Sequence, residues 1–162
     1  MGKNSEMNKG LSFAVASDHR GVQLKKTVVD FLKSKGLKVQ DLGTDSETSV
    51  DYPDFALKAA EAVQTRKADQ GIVICHSGIG VSVAANKMNG IRAALCQTVE
   101  QAELARRHTD ANVLALPAGF VTPELAKNIV AKWLETNFEG GRHERRIEKI
   151  KSIEKNQNKN KT

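Results

Sequence analysis

The chain has 162 residues and a formal net charge of +6, and 40% of its residues are hydrophobic but only 4% aromatic. This length fits a single domain with an aliphatic core that needs neither disulfides nor a structural metal. The excess charge lies mostly at the ends, where residues 139–162 hold eight basic and four acidic groups, so the composition argues against a broad nucleic-acid-binding face.

Alternating apolar and amphipathic segments predict five strands and six helices. The predicted strands are 11–17, 37–42, 71–75, 91–96 and 112–116. The predicted helices are about 21–35, 55–67, 81–88 and 99–108, one that begins at Pro123, and 142–155. This order predicts an α/β fold, a single-domain doubly wound (Rossmann-like) five-stranded parallel sheet with helices on both faces and a C-terminal helical extension.

The same pattern predicts the limits of the domain. Residues 11–155 are expected to form it, with a disordered N-terminal extension at 1–10 and a disordered polar tail at 156–162. The polar first ten residues do not resemble a signal peptide, and no apolar run is long enough for a transmembrane helix. The two cysteines form no CxxC pair, which favours free thiols and a cytoplasmic location.

In doubly wound sheets, ligands bind beyond the carboxyl ends of the strands, which selects the loops 18–21, 76–80 and 117–121. In the second of these loops, Cys75 ends a strand and a turn with two glycines leads into a helix. Backbone N–H groups there could bind phosphate or an oxyanion. An ordinary strand-to-helix turn with a buried thiol is an equally simple reading. The loop lacks the lysine of a Walker-A motif, the third glycine of a dinucleotide fingerprint and the arginine of a cysteine phosphatase loop.

Three further places could bind or transform a ligand. Asp18 and His19 follow the first strand, although Asp18 could simply cap a helix. His108 could serve as a general acid–base, or could only complement the dipole of the helix that it ends. Arg142 and Arg146 share one helix face and could clamp a phosphate, but interspersed glutamates are also typical of a solvated surface.

Taken together, the motifs DHRG, DYPDFA, ICHSGIGVSVAANK, GIRAAL, RRHTDANVLAL and EGGRHERR resemble, in this order, the type B ribose-5-phosphate isomerases, which are related to galactose-6-phosphate isomerase subunits. The resemblance covers about residues 11–155, and the number of motifs at matching spacings makes it specific.

The resemblance implies isomerisation of D-ribose 5-phosphate and D-ribulose 5-phosphate through an enediol(ate), with no metal and no organic cofactor. It implies that Cys75 is the base, that Ser77 helps to move a proton between O1 and O2, and that His108 opens the sugar ring. The implied substrate-binding residues are Asp18, His19, Gly78, Ile79, Gly80, Val81, Ser82, Thr109, Arg142 and Arg146. It also implies a homodimer or homotetramer with active sites between subunits. The near-neutral body of the chain and its single Trp and Tyr argue against a nucleic-acid partner bound through the basic tail, and the lack of a long apolar run argues against a membrane partner.

The sequence departs from the usual family pattern in three places. His76 stands where a glycine is common, Thr109 replaces a frequent asparagine, and no arginine occurs near Gly119. Isomerisation of a hexose 6-phosphate (allose or galactose 6-phosphate) is therefore kept as an alternative, although His108 favours the pentose phosphate. A non-catalytic sugar-phosphate-binding protein is a second alternative, against which the complete set of Cys75, Ser77 and His108 argues.

Overall fold

The structure is a computed structural model that describes residues 10–160, and five parallel strands form its centre. The strands are β1 (Ser12–Ser17), β2 (Lys38–Asp41), β3 (Gln70–Cys75), β4 (Ala93–Leu95) and β5 (Val113–Pro117). They lie in the order β2-β1-β3-β5-β4, and every neighbouring pair is parallel. The predicted doubly wound sheet is confirmed.

Six α-helices connect and flank these strands, after a short 3-10 helix at His19–Gly21. They are α1 (Val22–Ser34), α2 (Tyr52–Gln64), α3 (Ile79–Ala85), α4 (Val99–Thr109), α5 (Pro123–Glu135) and α6 (Arg142–Lys159). Thr122 caps α5, because its hydroxyl accepts a hydrogen bond from the Leu125 N–H at 3.1 Å.

The two faces of the sheet carry side chains of very different size. Because successive strand residues point to opposite faces, β1 presents Phe13 and Val15 to one face and Ala14 and Ala16 to the other. The large side chains pack against α1, α4 and α5, while the small ones pack against α2 and α3. Alanines supply most of the core contacts of α2, namely Ala56, Ala59, Ala60 and Ala62. We call these the large-residue face and the alanine face.

A crevice is created between β1 and β3. The chain leaves β1 toward α1 on the large-residue face and leaves β3 toward α3 on the alanine face. Adjacent parallel strands whose connections diverge to opposite faces leave a cleft at their carboxyl ends, which is the usual ligand site of such sheets. The loops that begin at Asp18 and His76 border this cleft.

Several predicted boundaries are wrong. The helix α3 begins at Ile79 rather than at Val81, and α2 begins at Tyr52 rather than at Phe55. The helix α6 continues to Lys159, beyond its predicted end at residue 155. Its polar end contains no proline or glycine to stop the helix, and the ion pair between Lys151 and Glu148 supports the preceding turn.

The disorder predicted for residues 1–9 and 161–162 concerns positions that lie outside the described part of the chain. Within residues 10–160, no helix combines the length and the apolar character needed to cross a membrane.

Candidate active site

The sulfur of Cys75 lies at the carboxyl end of β3 beneath the turn that opens α3. The residue is 5% exposed, and the Gly78 N–H donates to its Sγ at 3.2 Å. Gly78 adopts the left-handed conformation (φ 71°), which glycine tolerates because it has no Cβ. A donor in this position stabilises negative charge on a thiolate. The turn therefore directs one backbone donor at the sulfur, and the role of Cys75 stays a prediction.

The remaining predicted residues of this turn surround the same space. The Ser77 Oγ accepts from the Ile79 N–H at 3.2 Å, which fixes the hydroxyl at the start of α3. The Ser82 N–H donates to the Gly78 carbonyl at 3.2 Å, and the Ser82 hydroxyl donates to the Ile79 carbonyl at 2.8 Å. Both Ser82 donors are thus used within the helix. Gly80 and Val81 lie in the first turn of α3, where helix N–H groups have no intrahelical acceptor.

Asp18 and His19 border the other side of the crevice. Asp18 is 6% exposed, and its carboxylate accepts from the N–H groups of Arg20 and Gly21 at 2.9 and 3.2 Å, so it does cap the 3-10 helix. His19 Nδ1 accepts from the Val50 N–H at 3.2 Å. A neutral imidazole that accepts at Nδ1 must carry its proton on Nε2. His19 therefore presents a hydrogen-bond donor beyond the sheet.

The loop whose Val50 N–H donates to His19 is anchored by the buried cation of Lys25. Lys25 is 2% exposed and contacts Asp41 at 2.6 Å and Asp45 at 2.8 Å. These contacts to both carboxylates raise the pKa of Lys25 above its ordinary value, although burial works in the opposite direction. Asp45 belongs to the segment that leads to Val50, so this ion-pair cluster helps to position His19.

Two departures from the family pattern are coupled in space. The His76 imidazole lies over Gly119, at a place where any side chain at position 119 would overlap the ring. The same ring packs against Phe120 with centroids 5.7 Å apart, and the Gly119 N–H donates to the His76 carbonyl at 2.8 Å. A side chain at position 119 would therefore require the exposed His76 ring to move from the position that it has here.

His108 and Thr109 lie at the opposite edge of the sheet. The helix α4 starts after β4 and runs back along the sheet for about 16 Å, at 1.5 Å per residue. Its end contacts Arg92, which precedes β4 and donates to the Thr109 carbonyl at 2.9 Å and to the Asp110 carbonyl at 2.8 Å. The last turn of α4 is therefore at the amino edge, whereas Cys75 is at the carboxyl edge.

The start of α6 joins His108 at the amino edge. The rings of His108 and His143 stack with centroids 4.2 Å apart and an angle of 9° between their planes. Arg142 and Arg146 are exposed on either side of the buried His143. Glu139 lies beside them, and its carboxylate binds Arg107 at 2.8 Å. This contact lowers the pKa of Glu139 below its usual range.

A cluster of potential metal ligands occurs here, formed by His108, Glu139 and His143, whose nitrogen and oxygen atoms lie within 4.8 Å of one another. Ring nitrogens bind metals along lone pairs in the ring plane, and the planes of stacked rings run parallel, so one ion cannot meet both lone pairs in this arrangement. Glu139 is also engaged by Arg107. The cluster is not arranged to hold a metal.

The predicted site residues thus fall into two groups. Asp18, His19 and the residues from Cys75 to Ser82 lie at the carboxyl edge, while His108, Thr109, Arg142 and Arg146 lie at the amino edge. The structure brings the members of each group together but keeps the groups apart within one chain. Their individual roles stay predictions.

Sequence reasoning missed three residues at these places. The Tyr52 ring lies so close to Gly80 that a Cβ there would be 2.7 Å from it, which puts Tyr52 at the mouth of the crevice. His143 and Glu139 join the amino-edge group. His143 stands inside the quoted motif EGGRHERR, and its spacing of one residue from Arg142 could have drawn attention to it.

The fold and the crevice define an α/β protein that binds a small ligand at the switch point of a parallel sheet. This chain belongs to the Ribose/Galactose Isomerase family, which matches residues 13–150. Ribose-5-phosphate isomerase B of Escherichia coli is 46% identical over 145 residues, covering 90% of this chain and 97% of that protein.

Solved structures give the same family. Ribose-5-Phosphate Isomerase B of Clostridium thermocellum has a TM-score of 0.89 at 51% identity, covering 90% of this chain and 99% of that one. Ribose-5-phosphate Isomerase B from Mycoplasma genitalium, solved with bound ribulose-5-phosphate, has a TM-score of 0.87 at 47% identity, covering 90% of this chain and 97% of that one.

Proposed function

We propose that this protein is an aldose–ketose isomerase that interconverts D-ribose 5-phosphate and D-ribulose 5-phosphate through an enediol(ate). The observation that carries the proposal is the Cys75 sulfur at the switch point with the Gly78 N–H directed at it. The relatives named for this activity, and the ribulose-5-phosphate bound to one of them, support the choice of a pentose phosphate.

In the proposed mechanism, His108 first opens the furanose ring. The hemiacetal hydroxyl at C1 gives up its proton, the bond between C1 and the ring oxygen O4 breaks, and O4 takes a proton. A histidine can mediate both transfers near neutral pH without net consumption of protons. The product is the open-chain aldehyde, which has an acidic proton at C2.

Cys75 then moves a proton from C2 to C1. The thiolate removes the C2 proton, which gives the enediolate, and the resulting thiol returns it to C1. We expect the Ser77 hydroxyl, which accepts from the Ile79 N–H, to move the accompanying proton between O1 and O2. The N–H groups of the first turn of α3 stabilise the negative oxygen, because such donors are fixed before the charge develops.

The phosphate is expected to meet groups from both edges. The Nε2–H of His19 can donate to it at the carboxyl edge, and Arg142 with Arg146 can supply two guanidinium forks. Asp18 is expected to contact the sugar hydroxyls and Thr109 the substrate near His108. These contacts require the two groups of residues to meet.

We infer that they meet between two copies of the chain, in a homodimer or homotetramer. A twofold contact that sets the carboxyl edge of one subunit against the amino edge of its partner would complete two equivalent sites. Exposed apolar side chains around the crevice, with Ile79 at 57%, Val83 at 55% and Phe120 at 63% exposure, support a partner at that edge.

Mixing two inactive variants tests the activity and the shared site together. Cys75→Ala and His108→Asn should each abolish ribose 5-phosphate conversion as pure proteins. After both are unfolded and refolded together, half of the dimers are mixed, and each mixed dimer has one intact site, so about one quarter of wild-type activity should return. Activity in either pure variant, or no recovery after mixing, would contradict the assignment.

A direct assay separates the substrate alternatives. Wild-type turnover of ribose 5-phosphate should exceed that of allose 6-phosphate and galactose 6-phosphate. A preference for a hexose phosphate would replace the proposed substrate, and binding without turnover would point to a sugar-phosphate-binding protein. We place the enzyme in the pentose phosphate pathway and, because both cysteines are free and one is the proposed base, in the reducing cytoplasm.

A further inference from the structure

His143 is a buried histidine to which the proposed mechanism gives no task. It is 3% exposed, although it occupies the second position of α6 between the exposed residues Arg142 and Glu144. Its N–H donates to the Gly140 carbonyl at 3.1 Å, so the turn that precedes the helix fixes the backbone. The side chain Nε2 has no hydrogen-bond partner among the described residues, which is unusual for a buried polar atom.

The ring of His143 is placed against a single functional group. It stacks on His108 with a centroid separation of 4.2 Å and nearly parallel planes. The nearest carboxylate oxygen, on Glu139, is 3.9 Å from Nε2 and thus beyond hydrogen-bonding distance. Glu139 itself is held by Arg107. His143 therefore packs flat against His108 instead of making a polar contact of its own.

The surroundings disfavour protonation of this ring. Burial lowers the pKa of His143 below 6.5, and the positive fields of His108, Arg142 and Arg146 act in the same direction. Glu139 alone among the neighbouring charges opposes this effect. A neutral aromatic ring can stack on His108 in either protonation state of His108, whereas two protonated rings at this distance would repel each other.

We propose that His143 is a positioning residue for ring opening, because its stacked ring holds the imidazole of His108 in the plane from which it exchanges protons with the substrate. The inference rests on the proposed function. Ring opening needs one imidazole to serve two oxygens of the hemiacetal, O1 and O4. Small errors in the placement of an acid–base group reduce the rate steeply.

The test compares two replacements of His143. His143→Leu fills a similar space but is not flat, whereas His143→Phe keeps a flat ring without a nitrogen. His143→Leu should lower kcat for ribose 5-phosphate about 10- to 100-fold, and His143→Phe should stay within about threefold of wild type. Ile147→Ala, one turn further along the same buried face of α6, controls for loss of packing and should retain activity.

A second readout isolates ring opening from enolisation. Ribulose 5-phosphate cannot form a five-membered ring because its O5 carries the phosphate, so removal of its C1 proton needs Cys75 but no ring opening. Loss of deuterium from C1-labelled ribulose 5-phosphate into water, followed by nuclear magnetic resonance, should be within about threefold of wild type in both His143 variants. A role of His143 only in folding would lower both rates together.

The outcomes are distinct. Equal ribose 5-phosphate rates for the Leu and Phe variants, or a fall in deuterium exchange that parallels the fall in turnover, would overturn the positioning role. Wild-type protein that neither isomerises ribose 5-phosphate nor exchanges the label would instead overturn the proposed function. Selective loss of turnover in His143→Leu, with recovery in His143→Phe, would establish the role.

Discussion

Gly78 is the residue at which the shape of the turn beside the proposed base can be tested most directly. A methyl group at this position would lie 2.5 Å from Leu95 Cδ1 and 3.1 Å from both the Leu116 carbonyl carbon and the Pro117 nitrogen. The leucine side chain can move aside, but the last two atoms belong to the backbone of β5. Gly78→Ala must therefore push the turn away from the sheet.

The expected cost has two parts. Alanine at a φ of 71° costs about 1–2 kcal/mol relative to glycine, and this is partly offset by lower entropy of the unfolded chain. Crowding against a packed core adds about 1–3 kcal/mol. Gly90 separates these parts, since its φ is 79° and a Cβ there meets nothing within 4 Å. We expect losses of about 2–4 kcal/mol for Gly78→Ala and about 1 kcal/mol for Gly90→Ala.

The assay is urea unfolding of both variants at equal protein concentration, combined with ribose 5-phosphate kinetics. Because the shifted turn moves the Gly78 N–H away from the Cys75 sulfur, kcat of Gly78→Ala should fall at least about tenfold, while Gly90→Ala should retain wild-type kcat. Equal stability losses, or a fully active Gly78→Ala, would refute the reasoning that this turn is pressed against β5 and aims its N–H at the sulfur.

Three further predictions concern buried polar groups. Lys25→Met should lower the unfolding free energy by about 2 kcal/mol, because it leaves the carboxylates of Asp41 and Asp45 without their cation, although both still reach solvent. Lys26→Met, on the exposed side of the same helix, should change the unfolding free energy by less than about 0.5 kcal/mol. Similar urea midpoints for the two variants would be evidence against the buried ion-pair cluster. The pKa of His143 is lowered in the native state, so as the pH falls through 6.5 the unfolded chain binds a proton at this residue before the folded chain does. Stability should therefore decline below that pH, and it should decline less steeply in His143→Phe. Parallel curves of urea midpoint against pH for the two proteins would contradict this. Burial raises the pKa of Cys96 to about 12. In the Cys75→Ser variant, iodoacetamide at pH 8 should therefore leave the native protein unmodified but label the Cys96 thiol after unfolding. Labelling of the native variant would show instead that Cys96 is accessible.

The sheet was predictable because its strands carry their signal locally. Continuous apolar runs such as 71–75 are typical of strands covered on both faces, and the strand–helix alternation leaves few topologies. Boundaries were less certain where capping depends on three-dimensional contacts. Pro53 is a local signal for the start of α2 and lies in its first turn, but the packing of the Tyr52 ring over Gly80 depends on another element and has no local signal.

The sequence offered a set of candidate site residues but not their arrangement. The motifs around Cys75 and His108 were recognisable one by one, yet their separation onto opposite edges depends on the direction in which α4 returns along the sheet. The contact between His108 and His143 joins two helices that are distant in sequence, and it arises from tertiary packing alone. Periodicity within either helix could not predict it.

The unequal faces of the sheet bear on how such a chain can change over evolutionary time. On the alanine face, the core side chains of β1 and most of those of α2 are alanines, so most substitutions at these positions add atoms where there is no room. On the large-residue face, leucines, isoleucines and Trp133 can exchange volume with one another. We expect sequence drift to be concentrated on that second face. Cys75, which belongs to the alanine face, then lies in the more slowly changing half of the molecule.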